Sequence, residues 1–163
     1  MILSGKALKS GQHVTQTRID EQFQPAGVDL SVESVWAFEG PGAIDLDNQK
    51  RKLPAYRPLD FGPDGSLHLP AGAYKIVFNE TVAIPPDCAA IARSRSSLLR
   101  MGASVQTALW DPGYKGRSEA LLVVHNSGGL MLHAHARVAQ LVFIRLEAPS
   151  GQLYSGQYQN EHL

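Results

Sequence analysis

One cysteine is all the sequence offers, and a single thiol, Cys88, cannot staple the chain to itself. That excludes a disulfide framework and suits a reducing compartment. Net charge is also missing: 15 basic residues balance 15 acidic ones. No global field therefore draws the chain to nucleic acid or a lipid surface, and an anionic ligand has to be met by a local cluster. Long apolar runs are absent, whereas a membrane helix needs roughly 20 such residues. Met1-Ile2-Leu3 gives way at once to Ser4, Gly5 and Lys6, too short for a secretory core. The expectation is a cytoplasmic protein with no nucleic-acid or membrane partner. Helical periodicity is scarce, confined to one turn at Lys6 to Lys9 and another at Ser96 to Met101 behind candidate serine caps.

Glycine and proline, by contrast, are plentiful, with 15 and 10 copies spread along the chain. Punctuation of that density suits short strands joined by turns. Val28-Asp29-Leu30-Ser31-Val32 alternates apolar and polar, and the apolar stretch extends to Phe38. Further strand candidates are Tyr74 to Phe78, Cys88 to Ala92, Ser104 to Trp110, Ala120 to Val124 and Leu130 to Leu146. Gly40 to Gly65 is polar, proline-dotted and weakly patterned, and reads as a surface excursion. The pattern predicts one all-β domain with few short helices, a compact barrel or jelly-roll-like body over residues 1–152. Residues 153–163 form a polar, glycine-containing C-terminal tail.

Charge does collect in one place. Between Arg93 and Arg117 lie Arg93, Arg95, Arg100, Lys115 and Arg117 against a single acid, Asp111. Ser94, Ser96 and Ser97 are interleaved, and hydroxyls with arginine forks are what a polyphosphate ester requires. A surface of solvated arginines around a serine turn would share this composition. The lone acid is the informative residue, because a carboxylate among cations stays ionised and can take a proton from water or help hold a metal.

These residues resemble a known family. Arg95-Ser96-Ser97-Leu98-Leu99-Arg100 resembles the Arg-Ser-Ser-Leu-x-Arg motif of dCTP deaminases and archaeal-type dUTPases. Asp111-Pro112-Gly113-Tyr114-Lys115-Gly116 is similar to their Asp-x-Gly-aromatic-x-Gly motif, ahead of a strand closing at Asn126. Ala26-Gly27-Val28-Asp29-Leu30 resembles the early motif of that superfamily, Ala136 to Leu141 the late one, and Tyr154 to Glu161 the deaminase-like tail. The matches occur in family order over residues 26 to 161.

The resemblance implies a distorted jelly roll, a β-clip-like barrel, assembled as a homotrimer with shared active sites. It implies dUTP as substrate and Mg²⁺ as cofactor, the ion held through substrate phosphates and water with no protein metal site. Asp111 would activate the water that attacks the α-phosphorus, and Tyr114 would pack under the deoxyribose, with Gly116 in the same turn. Arg95, Ser96, Ser97, Arg100, Arg137 and Gln140 would hold or position phosphates. The base would meet the hairpin backbone at Gln106, Thr107 and Ala108, up to Leu109, with Tyr158 and Gln159 as tail contacts closing over the site. Stacked against Tyr114, a ribose would bury an unpaired 2′-hydroxyl at a cost of about 1–3 kcal/mol.

Two alternatives stand beside dUTP hydrolysis. One is a dCTP deaminase, alone or bifunctional; the other is a β domain that binds nucleotides without turning them over. Deaminases of the family carry a catalytic glutamate on the strand after the Asp-x-Gly motif. Counting back from Asn126 that slot is Val123, and counting forward from Asp111 it is Leu121. Neither side chain can carry a proton. Glu119 shares the strand face but lies about 7 Å from the nearer slot. Against the binding-only reading, a carboxylate in a basic loop gives a triphosphate binder nothing unless it holds metal. His125, His133 and His135 invite a metal-site reading, but the two spaced i and i+2 read as the polar face of one strand, and no cysteine pair or fourth ligand accompanies them. Trp36 and Trp110 read as core or interface residues, and Cys88 as an inert buried thiol.

Overall fold

The structure, a computed structural model, describes residues 1–163. It opens with α1 (Gly5–Ser10), β1 (Val14–Thr15), a single turn of 3-10 helix (Asp20–Gln22), β2 (Phe23–Gln24) and the long β3 (Gly27–Glu39). Then come β4 (Ala55–Leu59), β5 (Ser66–Leu69), β6 (Gly72–Phe78), β7 (Thr81–Ala83) and β8 (Cys88–Ser94). After α2 (Ser96–Arg100), the chain ends its regular structure with β9 (Ala103–Gln106), β10 (Lys115–Gly116), β11 (Glu119–Val124), β12 (Leu130–His133) and β13 (Arg137–Arg145). No helix is long and apolar enough to cross a membrane.

The main sheet runs β8-β13-β3-β6-β11-β9, with β2 and β4 also paired to β3. Two small sheets, β1-β7-β10 and β12-β5, complete the all-β body. β3 organises it: its first half pairs β13, its second half pairs β4 and β6, and the register shifts at Glu33 in β3 and at Val138 in β13. Val28, Leu30, Val32, Ile76, Phe78, Leu122, Leu141 and Phe143 are fully enclosed in one continuous core. Each such side chain contributes about 1.5–3 kcal/mol through burial.

Several local expectations change once strands pair. The stretch from Gly40 to Gly65 is not all excursion: Ala55–Leu59 pairs Val35–Glu39 as β4. Leu130 to Leu146 is two strands broken by a turn in which His135 has φ 60°, so His133 and His135 do not share a strand face. The expected strand Ser104 to Trp110 stops at Gln106. α2 is capped by Arg95 and has no side-chain cap bond, in place of a serine cap. α1 does use a serine, Ser4, whose Oγ accepts from the Ala7 amide at 3.3 Å.

The polar residues of Val28–Val32 are as buried as the apolar ones, Asp29 at 2% and Ser31 at 1% exposure. Both faces of β3 are covered, so the second face carries a polar network in place of water. Glu80, fully enclosed, accepts from the Ser31 amide at 2.9 Å, the Ser31 hydroxyl at 2.5 Å and Gln22 Nε2 at 2.6 Å. Burial pushes the Glu80 carboxyl above its usual range, against the pull of these donors.

Candidate active site

The chain between β9 and β10 builds the floor of a cavity of about 430 Å³. Trp110 closes the segment by exchanging two backbone bonds with Ala90, each 3.0 Å. Between Gln106 and Trp110, the backbone groups of Thr107, Ala108 and Leu109 enter no backbone hydrogen bond, and Ala108 and Leu109 line the cavity. Unspent donors and acceptors on a fixed strand exit are suited to reading the edge of a planar base.

Asp111 to Tyr114 then make a tight turn, with the Tyr114 amide on the Asp111 carbonyl at 3.2 Å. Gly113 occupies the left-handed region at φ 85°, and a Cβ there would stand 2.8 Å from Leu153 Cβ. Two bonds to Ile84 pin the turn: Gly113 N donates to its carbonyl at 3.0 Å, and its amide donates to Tyr114 O at 2.9 Å. The Asp111 carboxylate is exposed, has no hydrogen bond or ion pair, and lines both this cavity and an adjoining polar one of about 290 Å³.

Behind the carboxylate stand two buried rings. Tyr114 Oη lies 2.9 Å from Ser118 Oγ and 2.7 Å from Glu161 Oε1, while Trp110 Nε1 donates to Ser118 Oγ at 2.6 Å. Burial, reinforced by Glu161, pushes the Tyr114 phenol up, so it stays protonated.

The tail is docked along this floor. Its backbone binds the hairpin through Tyr154 N to Pro112 O at 2.7 Å, Asn160 N to Lys115 O at 2.8 Å and Arg117 N to Glu161 O at 3.0 Å. Tyr154, Tyr158 and Glu161 line the cavity. Gln159 spends its amide on the backbone of Lys115 and Gly113, both at 2.9 Å, and clamps tail to turn. Gly116 leaves the space this requires, because a Cβ would meet Tyr114 Oη at 2.7 Å and Glu161 Cγ at 3.1 Å.

The opposite wall is charged and aromatic. Glu119 Oε1 accepts from Lys75 Nζ at 2.7 Å and faces His162 Nε2 at 3.0 Å, and Lys75 lies 4.1 Å from the Tyr56 ring centre. Glu119, Leu121 and Val123 share one face of β11, yet only Glu119 of the three reaches the cavity.

The basic turn lies elsewhere. Arg95 Nε and Arg137 NH1 converge on the buried Asp29 carboxylate at 3.0 and 3.3 Å, and Arg137 also donates to the Glu21 carbonyl at 3.0 Å. Burial raises the Asp29 carboxyl, and the two guanidinium groups oppose that rise. Ser96, Ser97 and Arg100 are exposed on α2, and Gln140, opposite Asp29 on β13, makes no side-chain bond. None of these residues borders the Asp111 cavity. Ala90, the partner of Trp110, is five positions before Arg95, about 17 Å along the strand.

Asp111, Tyr114, Ala108 and Tyr158 thus come together, and Arg95, Ser96, Ser97, Arg100, Arg137 and Gln140 form a second group apart from them. Leu53, Tyr56, Ser118 and the cavity position of Glu119 escape a local reading. Tyr56 arrives through pairing of β4 with β3, and an isolated serine between strands carries no signal of its own.

A family model described as dCTP deaminase-like matches residues 2–146. The chain is 48% identical over 159 residues to a Methanosarcina mazei protein named "Probable deoxyuridine 5'-triphosphate nucleotidohydrolase", covering 96% of this chain and 93% of that one. It is 41% identical over 140 residues to the deoxyuridine 5'-triphosphate nucleotidohydrolase of Methanocaldococcus jannaschii, covering 85% and 88%. The crystal structure of the 2'-deoxycytidine 5'-triphosphate deaminase from Agrobacterium tumefaciens is similar over 90% of this chain with a TM-score of 0.65 at 25% identity, and the chain spans 49% of that one. With fold, motif order and near full-length matches in agreement, this chain belongs to the dCTP deaminase-like family.

Proposed function

We propose that this chain is a dUTP diphosphatase that releases dUMP and pyrophosphate, with Asp111 drawing the proton from the attacking water. The observation that carries the reading is Asp111 itself: an exposed carboxylate without a protein partner, at the mouth of a cavity floored by unpaired hairpin backbone and Tyr114. A carboxylate already engaged by lysine or arginine would be a poor base; this one is free to bind water. The naming of the two archaeal relatives supports the same chemistry. Attack at phosphorus asks mainly for positioning and charge neutralisation. Uracil presents an acceptor where cytosine presents an amino group, so fixed backbone donors at Thr107 to Leu109 favour uracil.

Mg²⁺ belongs to this proposal. No cluster of three or more His, Cys, Asp or Glu is present, and one free carboxylate at the cavity suits an ion retained mainly by phosphate oxygens and water. When bound, the ion neutralises phosphate charge.

The phosphate-binding group belongs to a neighbouring copy in this reading. Arg95, Ser96, Ser97 and Arg100 do not border the Asp111 cavity, and Arg95 is about 17 Å along the chain from Ala90, the partner of Trp110. Leu99 and Met101, 56% and 54% exposed beside them, offer apolar surface for that contact. We assign a homotrimer with shared sites, and light scattering that returns a monomer mass for an active preparation would contradict it.

A second reading is favoured by one observation: Glu119 reaches the cavity. Deamination of dCTP would need that carboxylate to shuttle protons, but Lys75 and His162 already occupy its Oε1. Separate incubations of dUTP and dCTP with Mg²⁺, resolved chromatographically, decide between the readings. The expected result is dUMP and pyrophosphate from dUTP with dCTP unchanged; dUTP or dUMP formed from dCTP would establish deamination. Tight binding of dUTP with no product would leave a binding domain.

A further inference from the structure

The hydrogen bonds behind Asp111 form a chain whose direction is fixed at both ends. An indole N–H can only donate, so Trp110 Nε1 gives its proton to Ser118 Oγ at 2.6 Å. At the other end Tyr114 Oη gives its proton to Glu161 Oε1 at 2.7 Å, a bond that, with His162 and Lys75 nearby, holds the carboxyl down against the rise that burial causes. The remaining link, 2.9 Å between Ser118 and Tyr114, must then run from the serine hydroxyl to the phenol oxygen. Every proton in the series is assigned, and Ser118 is the one residue that both accepts from one ring and donates to the other.

The surroundings are built for that role. Trp110, Tyr114 and Ser118 are 5%, 6% and 4% exposed, so water does not substitute for a missing partner. Ser118 is itself anchored, its carbonyl accepting from the Phe78 amide at 3.0 Å where β10 passes into β11. Trp110 is otherwise held only by packing and by its backbone bonds to Ala90, while Tyr114 has its backbone bonds to Ile84 and the bond to Glu161. The Ser118 hydroxyl is thus the one side-chain partner of the indole and the one partner the two rings share. The far end of the chain is a tail residue, so docking of the tail supplies the terminal acceptor, and hydrogen bonds in series strengthen one another.

We propose that Ser118 is a positioning residue for sugar discrimination, locking the Tyr114 ring in the plane that excludes a 2′-hydroxyl and passing the docked state of the tail, through Glu161, to Tyr114 and Trp110. It rests on the reading of Tyr114 as the platform beneath the deoxyribose. Ser118 touches neither water nor phosphate in this scheme, and its effect appears in the choice of sugar and not in the hydrolytic step.

The test compares kcat/KM for dUTP and UTP in the wild type, Ser118→Ala and Ser118→Thr. Alanine removes one buried bond on each ring, and the preference for dUTP over UTP is expected to fall about tenfold. Threonine keeps the hydroxyl and is expected to restore the preference. An equal loss on both nucleotides would reduce Ser118 to a structural role and overturn the proposal. A second arm needs no turnover: in a Trp36→Phe background the single remaining indole N–H, that of Trp110, is followed by proton NMR. Glu161→Gln replaces the terminal carboxylate by a neutral amide, and the Trp110 resonance is expected to move upfield, with a larger move in Ser118→Ala. A resonance unmoved by both changes would show that no such chain exists. A wild type inert toward dUTP would sink the hydrolase reading and the sugar role together, and the indole resonance would still report on the chain.

Discussion

Replacing Asp111 with asparagine should separate chemistry from folding more cleanly than any other single change. The side chain is exposed and makes no hydrogen bond or ion pair, and the one contact the residue supplies to the turn is its backbone carbonyl, which accepts from the Tyr114 amide at 3.2 Å. An amide of the same shape preserves that bond, so stability should move by no more than about 0.5 kcal/mol. Catalysis should respond very differently. An amide cannot take a proton from water, and loss of a general base typically costs about 10²–10⁴-fold, or roughly 2.7–5.5 kcal/mol of barrier. The assays are pyrophosphate release from dUTP with Mg²⁺, thermal unfolding of both proteins, and calorimetric binding of a non-hydrolysable dUTP analogue. The expected outcome is lost turnover with unchanged unfolding and retained binding. More than about a tenth of wild-type activity in the variant would refute Asp111 as the base. A matching fall in thermal midpoint would instead make the residue structural.

Asp29→Asn removes the carboxylate shared by Arg95 and Arg137; breaking such a pair costs about 3–5 kcal/mol when fully buried, discounted to about 2–3 kcal/mol because the guanidinium groups are 29% and 28% exposed, and denaturant unfolding should show it. Gly116→Ala forces a Cβ to within 2.7 Å of Tyr114 Oη and should weaken tail docking, read as faster proteolysis after Gln152 together with reduced turnover. Deleting residues 153–163 should sharply lower activity yet cost only about 2–5 °C in thermal midpoint, since the tail contributes few core side chains beyond Tyr154. For pH, the Glu80 carboxyl is raised in the folded state above its ordinary 4.5, so its contribution to stability is complete below that value and is lost as pH rises through the folded one. The thermal midpoint measured across that window should fall with increasing pH, and Glu80→Gln, which cannot titrate, should flatten that part of the slope.

Residue types and spacing marked Asp111, Tyr114 and Ala108, which the fold brings to one cavity. A lone acid among five cations and a serine turn pointed to phosphate, and Gly113 and Gly116 stand where a turn and a close approach leave no room for Cβ. Spacing alone left Glu119 two positions from the nearer catalytic slot; strand pairing places its carboxylate in the cavity wall against Lys75, a residue 44 positions away. Nothing in Gly40 to Gly65 announced Tyr56, because β4 exists only as the partner of β3.

The sequence by itself determined the all-β body, through dense turn residues and short apolar runs, and it determined that one acid stands among clustered cations and hydroxyls. Both follow from properties that travel with a short segment: backbone preference, side-chain period and ionisable chemistry. Tertiary structure alone decided that the polar alternates Asp29 and Ser31 face a buried network, that Arg95 pairs with Asp29 and stays out of the Asp111 cavity, and that Ser118 joins Trp110, Tyr114 and the tail. Those outcomes depend on which distant strands are neighbours and on whether one face of a strand or both are covered, and neither is encoded in the period of the strand itself.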